Sequence, residues 1–579
     1  MSTLNLLSDF PAVSTEAWEQ AIRDDLKGED CAQLLCHLDE GFDVKPYYRA
    51  EDLAGLKFLD AAPGDFPYLR GTRSRADWRI REEIDTADPE EANRAACSAV
   101  AAGGEEIAFS NPRIANASDL GMLMANLEEI PICFEYIDSR ALHLLMERLN
   151  RRQTQAEISA LIDWSADADF AAEVVAASPQ RFVPITIGGE FQNRGATAVE
   201  EVGFALASGV DFLAAMQDRD VPVDRAAEAI TFSFAMGPDF LLQMAKLRAF
   251  RMLWAQAVEQ FNGACEHAKA RVYARTSRWN RTLYDPQMNA LRGTTEALSA
   301  ILGGAESILV APFDDCYKAP DEASRRLARN TQIILRQEAL LARVADPGGG
   351  SYCLEVLTNS IAEAGWKVLK EIEVEGGYRN AASRIARQLA EREAALRKGV
   401  ESRRRVLVGT NRYADASEPA FDRIEVARHA ASSGAALSFE RMRLRAERHA
   451  MNSDKTPRVL LAEIGDAKAS AARSSFAADA LACAGLSAEI QRFERTEQIA
   501  ASDADLIVLC SSDPEYLPLA TELMAALHAR GSTVPVVVAG NPETAQQLQA
   551  AGIAEFIHIR SNLVDVLSQL QQRLGIEDK

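Results

Sequence analysis

Few residues in this 579-residue chain combine type and spacing in a way that could do chemistry. Three consecutive glycines in Asp346-Pro-Gly-Gly-Gly-Ser-Tyr352 could cradle a phosphate with their amides. No phosphate-loop lysine follows them, so they read as a tight turn between a helix and a strand. Nine cysteines (31, 36, 97, 133, 265, 316, 353, 483 and 510) include no CxxC pair and no histidine set at zinc spacing. They read as reduced, mostly buried small hydrophobes. His558 lies beside an apolar strand end, far in sequence from any other ligand, and reads as structural. The basic cluster Arg403–Arg405 reads as a solvated helix end. None of these is a catalytic or metal constellation.

The elements that would have to position such residues are better marked. A chain this long exceeds one core and divides into two or more domains. With 85 acidic against 63 basic residues its formal net charge is −22, which disfavours a nucleic-acid partner. The N-terminus MSTLNLLSDFPAVSTEAWEQ lacks a basic start followed by an apolar run, and no stretch of eighteen apolar residues could span a membrane. A soluble cytoplasmic protein without membrane partners is the expectation.

Residues 1–64 carry one amphipathic helix, about Thr15–Leu26, then turns, with too few apolar residues for a core of their own. They read as an arm. Across 65–413, apolar runs alternate with helical stretches: strands at Glu105–Phe109, Pro131–Tyr136, Val183–Ile187, Ala229–Phe234, Arg271–Arg275 and Ser307–Val310, and helices at Ala196–Ala207 and Asp239–Phe261. In the last, Phe240, Met244, Leu247, Trp254, Val258 and Phe261 form one apolar face. The alternation argues for a parallel sheet, closed barrel or open, in an α/β fold. Residues 414–456 form a charged, alanine-rich, partly helical linker. In 457–579 five strands, Val459–Ile464, Ala488–Arg492, Leu506–Cys510, Val534–Val538 and Phe556–Ile559, alternate with helices such as Leu517–Arg530 and Pro542–Ala550. That pattern suits a doubly wound, flavodoxin-like domain with its ligand at the strands' carboxyl ends.

Two long stretches carry a family resemblance. RVYARTSRWNRTLYDPQMNALRGT (Arg271–Thr294) and GGAESILVAPFDD (Gly303–Asp315) resemble the barrel of the methylmalonyl-CoA mutase family, which rearranges acyl-CoA thioesters with adenosylcobalamin. The resemblance runs from about residue 10 to 575. It implies an eight-stranded β/α (TIM) barrel, a C-terminal cobalamin-binding-type domain, and an N-terminal arm that clasps a partner subunit.

It also implies losses at the positions that do the family's chemistry. Where catalytic relatives place glutamine, histidine and asparagine, this chain has Glu306, Leu309 and Ala311. Anchored on Gly195, Glu190 stands at the position of the histidine that donates to the migrating carbonyl, and Gly189 at the tyrosine before it. An ionised glutamate only accepts hydrogen bonds. In Trp78-Arg-Ile-Arg-Glu-Glu83, Glu83 replaces the tyrosine that shields the radical. No counterpart of the arginine that pairs with the substrate carboxylate is found. In the cobalamin loop Asp-x-His-x-x-Gly, aligned on Gly465, the positions are Ala467, Ala469 and Ala472, and alanine cannot ligate cobalt.

Retained text includes Ser511-Ser512, Ala539-Gly540, His558–Asn562, the 346–352 turn and Val408–Tyr413. Glu338 is a weak candidate for a deoxyadenosyl contact, with burial against an arginine the duller reading. The resemblance implies a small (beta), non-catalytic subunit with no site residues or cofactor of its own. Its large (alpha) partner would bind adenosylcobalamin and the acyl-CoA. The alternatives are an active mutase with atypical residues, and a module for assembling or loading the large subunit.

Overall fold

A computed structural model describes residues 13–135, 137–151, 156–178, 181–188, 190–425, 434–453 and 456–577. Phe10-Pro11, Tyr136 and Gly189 lie outside the described residues.

The central unit is a closed parallel barrel. Its strands are β1 (Arg79–Ile84), β2 (Glu106–Phe109), β3 (Ile132–Phe134), β4 (Ile158–Ala160), β5 (Phe182–Val183 and Ile185–Ile187), β6 (Ile230–Met236), β7 (Arg271–Thr276) and β8 (Ser307–Leu309). Pro184 interrupts β5 because it has no N–H to give the ladder. The residues before it pair with β4 and those after it with β6, while β8 pairs with β1, so the ring closes.

Strand alternation shows why these residues form a barrel. Along β6, Phe232 and Phe234 point outward and meet Phe250 edge-on at 4.6 and 4.8 Å between ring centroids, and Phe232 also meets Trp254 at 4.7 Å. Thr231 and Ser233 point inward, where they line a cavity. Six of the eight strands are the ones expected. β1 and β4 are additional, for identifiable reasons. β1 reads Arg-Ile-Arg-Glu-Glu-Ile, with charges facing the lumen instead of an apolar run, and β4 has only three residues.

Phe240–Gln260 is the expected long helix, but it is buried almost all round rather than on one face. Gln243, Lys246, Arg248 and Arg251 are buried along with its apolar residues, and the three cations each find acceptors. Arg248 and Arg70 both pair with Asp346 and Glu355, a buried cluster of four charges. The glycines have separate reasons. A Cβ on Gly349 would stand 2.2 Å from Arg70 of the cluster and one on Gly348 2.4 Å from Leu354, while Gly350 has φ +82° and its N–H donates to Glu355 Oε1 at 2.8 Å. The turn precedes the helix Tyr352–Val374 rather than a strand, and a carboxylate of the chain already takes its amide.

The C-terminal unit is a five-stranded parallel sheet of β9 (Val459–Glu463), β10 (Ala488–Arg492), β11 (Leu506–Cys510), β12 (Val536–Val538) and β13 (Glu555–Phe556). Its spatial order is β10-β9-β11-β12-β13, the flavodoxin-like winding, with a hydrophobic core on each face. The helix Leu437–Asn452 joins this unit to the barrel. Its Phe439 and Met442 pack into one sheet core, and its Glu440 accepts the Leu283 N–H at 2.6 Å. Leu283 and Tyr284 are themselves buried, so the aromatic loop after β7 is packing.

At the N-terminus the helix Thr15–Asp25 buries no residue, while Leu38, Phe42 and Val44 pack part-buried on the barrel's core. Two expectations hold only in part. Arg404 and Arg405 are exposed just past the end of the helix Tyr378–Glu401, but Arg403 pairs with Asp479 of the C-terminal unit and Arg405 with Asp39 of the arm. Only Cys133, Cys483 and Cys510 are buried, whereas Cys36 and Cys265 are exposed, because they lie in a short hairpin and a surface turn. Among the described residues no helix is long and apolar enough to cross a membrane.

Candidate functional site

At the carboxyl-terminal mouth of the barrel lies a chamber of about 280 Å³. Barrel lumens are usually filled by layers of branched aliphatic residues. This lumen is charged. β1 contributes Arg81 and Glu83, β7 contributes Tyr273 and Arg275, and Cys133 and Glu135 come from β3 and the residue after it. Arg-x-Glu and Tyr-x-Arg at period two put both members of each pair on the same inner face.

Arg275 is the hub. Its guanidinium bonds Glu83 at 2.6 Å, and Arg278 approaches the same carboxylate at 3.9 Å. Burial alone would raise Glu83, but Arg275 and Arg278 outweigh it and hold the carboxyl below its usual range. Glu135 goes the other way: burial, with Glu83 beside it, raises it. Arg81 stacks on the Tyr273 ring with its guanidinium 3.8 Å from the centroid, and the Tyr273 hydroxyl has no hydrogen-bond partner among the described residues.

A carboxyl whose folded pKa exceeds its unfolded value supports the fold at low pH and loses that support as pH rises through the folded value. Glu135→Gln removes this penalty. It is expected to leave the melting temperature unchanged below about pH 4 and to raise it increasingly above that. A thermal-unfolding series against pH checks this, and no gain at neutral pH would refute it.

Glu190 stands on the loop after β5 with a left-handed backbone, φ 47°. It accepts the Asn193 side-chain amide at 2.8 Å, and Asn193 Oδ1 accepts the Arg278 N–H at 2.9 Å, which ties the β5 and β7 loops together. Below the loop, the Lys246 ammonium donates to Glu201 at 2.6 Å and to Gln192 at 2.9 Å. Gln192 returns its own N–H to Glu201 at 3.1 Å.

Of the positions named from the sequence, Glu83 and Glu190 face this chamber, and Leu309 lines the adjoining cleft with Glu83. Ala311 is held just past β8 by an N–H bond to Thr276 Oγ1 at 2.9 Å. Glu306 is not brought to them. It precedes β8 at the opposite rim, where it accepts the Val272 N–H at 2.7 Å. That rim carries ion pairs of Arg79 with Glu106 (3.2 Å) and Glu157 (3.0 Å), and of Arg271 with Glu157 at 3.7 Å. Glu338 is exposed at the end of the helix Glu322–Gln337, so its expected burial against an arginine does not occur. Sequence reasoning missed Arg81, Glu135, Tyr273 and Arg275, and the charged alternation of β1 and β7 was the available signal.

The second place to look is the carboxyl edge of the C-terminal sheet. Ala467, Ala469 and Ala472 fall in the first turns of the helix Ala467–Ala482. Asp466 caps that helix by accepting the Ala469 N–H at 2.7 Å. The three methyl groups offer a metal no donor. Ser511 and Ser512 bond Glu515, and Gly540 lies against Tyr516 and Arg473. His558 Nδ1 accepts the Arg560 N–H at 3.1 Å; burial and Arg560 lower its pKa. Among the described residues no three His, Cys, Asp or Glu side chains are arranged to hold a metal ion.

The sequence model of the family described as "Methylmalonyl-CoA mutase" matches residues 37–119 and 144–492. The chain is similar to the "Methylmalonyl-CoA mutase small subunit" of Porphyromonas gingivalis, 32% identical over 99% of both chains. A small subunit of the same description from Streptomyces virginiae is 30% identical, over 99% of this chain and 98% of its own length. The large subunit from that organism is also 30% identical, but over 76% of this chain and 67% of its own length.

Proposed function

Because the chain belongs to the methylmalonyl-CoA mutase family, we propose that it is the small subunit of a heterodimeric, cytoplasmic mutase, with a stabilising rather than a catalytic role. The holoenzyme would interconvert methylmalonyl-CoA and succinyl-CoA on its large subunit, where adenosylcobalamin would supply the radical. Small subunits match this chain over nearly its whole length, which supports the first half of the reading.

The observation that carries the second half is the chemistry of the barrel mouth. Glu83 and Glu190 face a lumen whose charges are already engaged with one another. At the Glu190 position an ionised carboxylate only accepts hydrogen bonds, whereas the negative charge that builds on a migrating thioester oxygen calls for a donor. Nor do the residues of the C-terminal sheet fit cobalamin, because Ala467, Ala469 and Ala472 replace its cobalt-ligand loop with a capped helix start. What this chain's residues do instead is hold a closed barrel beside the partner. The helix Thr15–Asp25, with no residue buried against its own chain, supports the arm as a partner contact.

Mixing the chain with its large subunit tests the pairing. Light scattering should give a stable one-to-one complex that carries one cobalamin. A complex that dissociates once the cofactor is loaded would replace the structural role with one in assembly.

A further inference from the structure

In a sheet wound as β10-β9-β11-β12-β13, the chain leaves β9 and β11 toward opposite faces, opening a crevice between their carboxyl ends. Amides and hydroxyls that converge there are suited to an anion. Here they converge on a carboxylate of the chain itself. Glu515 Oε2 accepts the Asp466 N–H at 3.1 Å, the Ser512 N–H at 3.3 Å, Ser511 Oγ at 2.9 Å and Ser512 Oγ at 2.6 Å. Three of these donors follow β11 and one follows β9, so a single oxygen bridges the crevice. Gly465 makes the approach possible: its φ is +78°, and a Cβ there would stand 2.5 Å from that oxygen. Arg492 adds a second strap across the same turn, bonding the Gly465 carbonyl at 2.8 Å and Ser470 Oγ at 3.1 Å.

We propose that Glu515 is a latch that holds this crevice shut, so that the C-terminal unit excludes a nucleotide-bearing corrinoid by occupancy as well as by lack of a cobalt donor. The inference rests on the reading that this chain carries no cobalamin, and it adds that restoring the ligand loop alone would not restore binding. A phosphate or amide of a nucleotide tail entering between β9 and β11 would have to displace a carboxylate with four donors on one oxygen.

Hydrogen–deuterium exchange on the full chain tests the latch without any ligand. In Glu515→Ala the Asp466 and Ser512 amides should exchange at least about tenfold faster. Glu515→Gln should fall between, and Leu461 in β9 should stay protected as proof of folding. Unchanged protection at Asp466 overturns the proposal. In a second arm, Ala467→Asp, Ala469→His and Ala472→Gly are introduced together, with Glu515 intact or as Glu515→Ala, and hydroxocobalamin is the probe. Corrinoid retained after gel filtration only when Glu515 is removed supports the latch. Retention with Glu515 intact, or in neither variant, overturns it. Retention by the unmodified chain would instead overturn the reading that it carries no cofactor.

Discussion

Lys246→Met is expected to destabilise the barrel by about 3–5 kcal/mol, because it strips a fully buried carboxylate of its one cationic partner among the described residues. Lys246 and Glu201 are both wholly inaccessible to water. Burial lowers the Lys246 pKa even against the pull of Glu201, a sign that desolvation is the larger effect at this pair. Methionine matches the stem in length and packing but leaves Glu201 with backbone donors alone. The damage should extend to the β5 loop, since Lys246 also bonds Gln192, and Gln192 packs so closely on Gly237 that a Cβ there would stand 1.7 Å from its amide nitrogen. The double variant Lys246→Met/Glu201→Leu should recover most of the loss, because a buried ion pair replaced as a unit costs far less than one that is broken. Urea denaturation followed on the barrel's tryptophans measures both. A single-variant loss below about 1 kcal/mol would show that Glu201 finds other support.

The parts of the fold that were legible in the sequence are those where side-chain period and burial agree. β10 and β11 run over the residues expected, Ala488–Arg492 and Leu506–Cys510. β6 and β7 were visible as β-branched and aromatic runs. β1 was not, because its inner face carries Arg81 and Glu83, and a strand whose lumen side is charged does not register as an apolar run. The same property hid the chamber. In the sequence Glu83 stands out only as a position in a motif, and its partner Arg275 only as part of a strand. Pairing across a closed ring, from β1 to β7, joins residues almost two hundred positions apart, and local pattern does not reveal it. Likewise Arg403 and Arg405 read as a solvated cluster, because Asp479 and Asp39 reach them only after folding. The three glycines read as a turn, but the charge cluster that takes one of its amides joins residues far apart in sequence.

The other large effect concerns turnover. Catalysis of the mutase rearrangement needs a radical source and a hydrogen-bond donor at the thioester carbonyl. At the positions the resemblance assigns to those tasks, this chain offers the methyl group of Ala469 and the carboxylate of Glu190, the latter already bonded to Asn193. Loss of either task should cost several orders of magnitude in rate, and loss of both should abolish it. Adding the large subunit should restore full turnover through that subunit's own site, and Glu190→Gln in this chain should then leave the rate unchanged. The most direct measurement is therefore succinyl-CoA formation by the purified chain alone, given saturating adenosylcobalamin and methylmalonyl-CoA, with and without its large subunit. The account predicts no product from the chain alone and full activity from the pair. Succinyl-CoA formed by the chain alone, lost on Glu190→Gln, would contradict it and make this barrel a working active site.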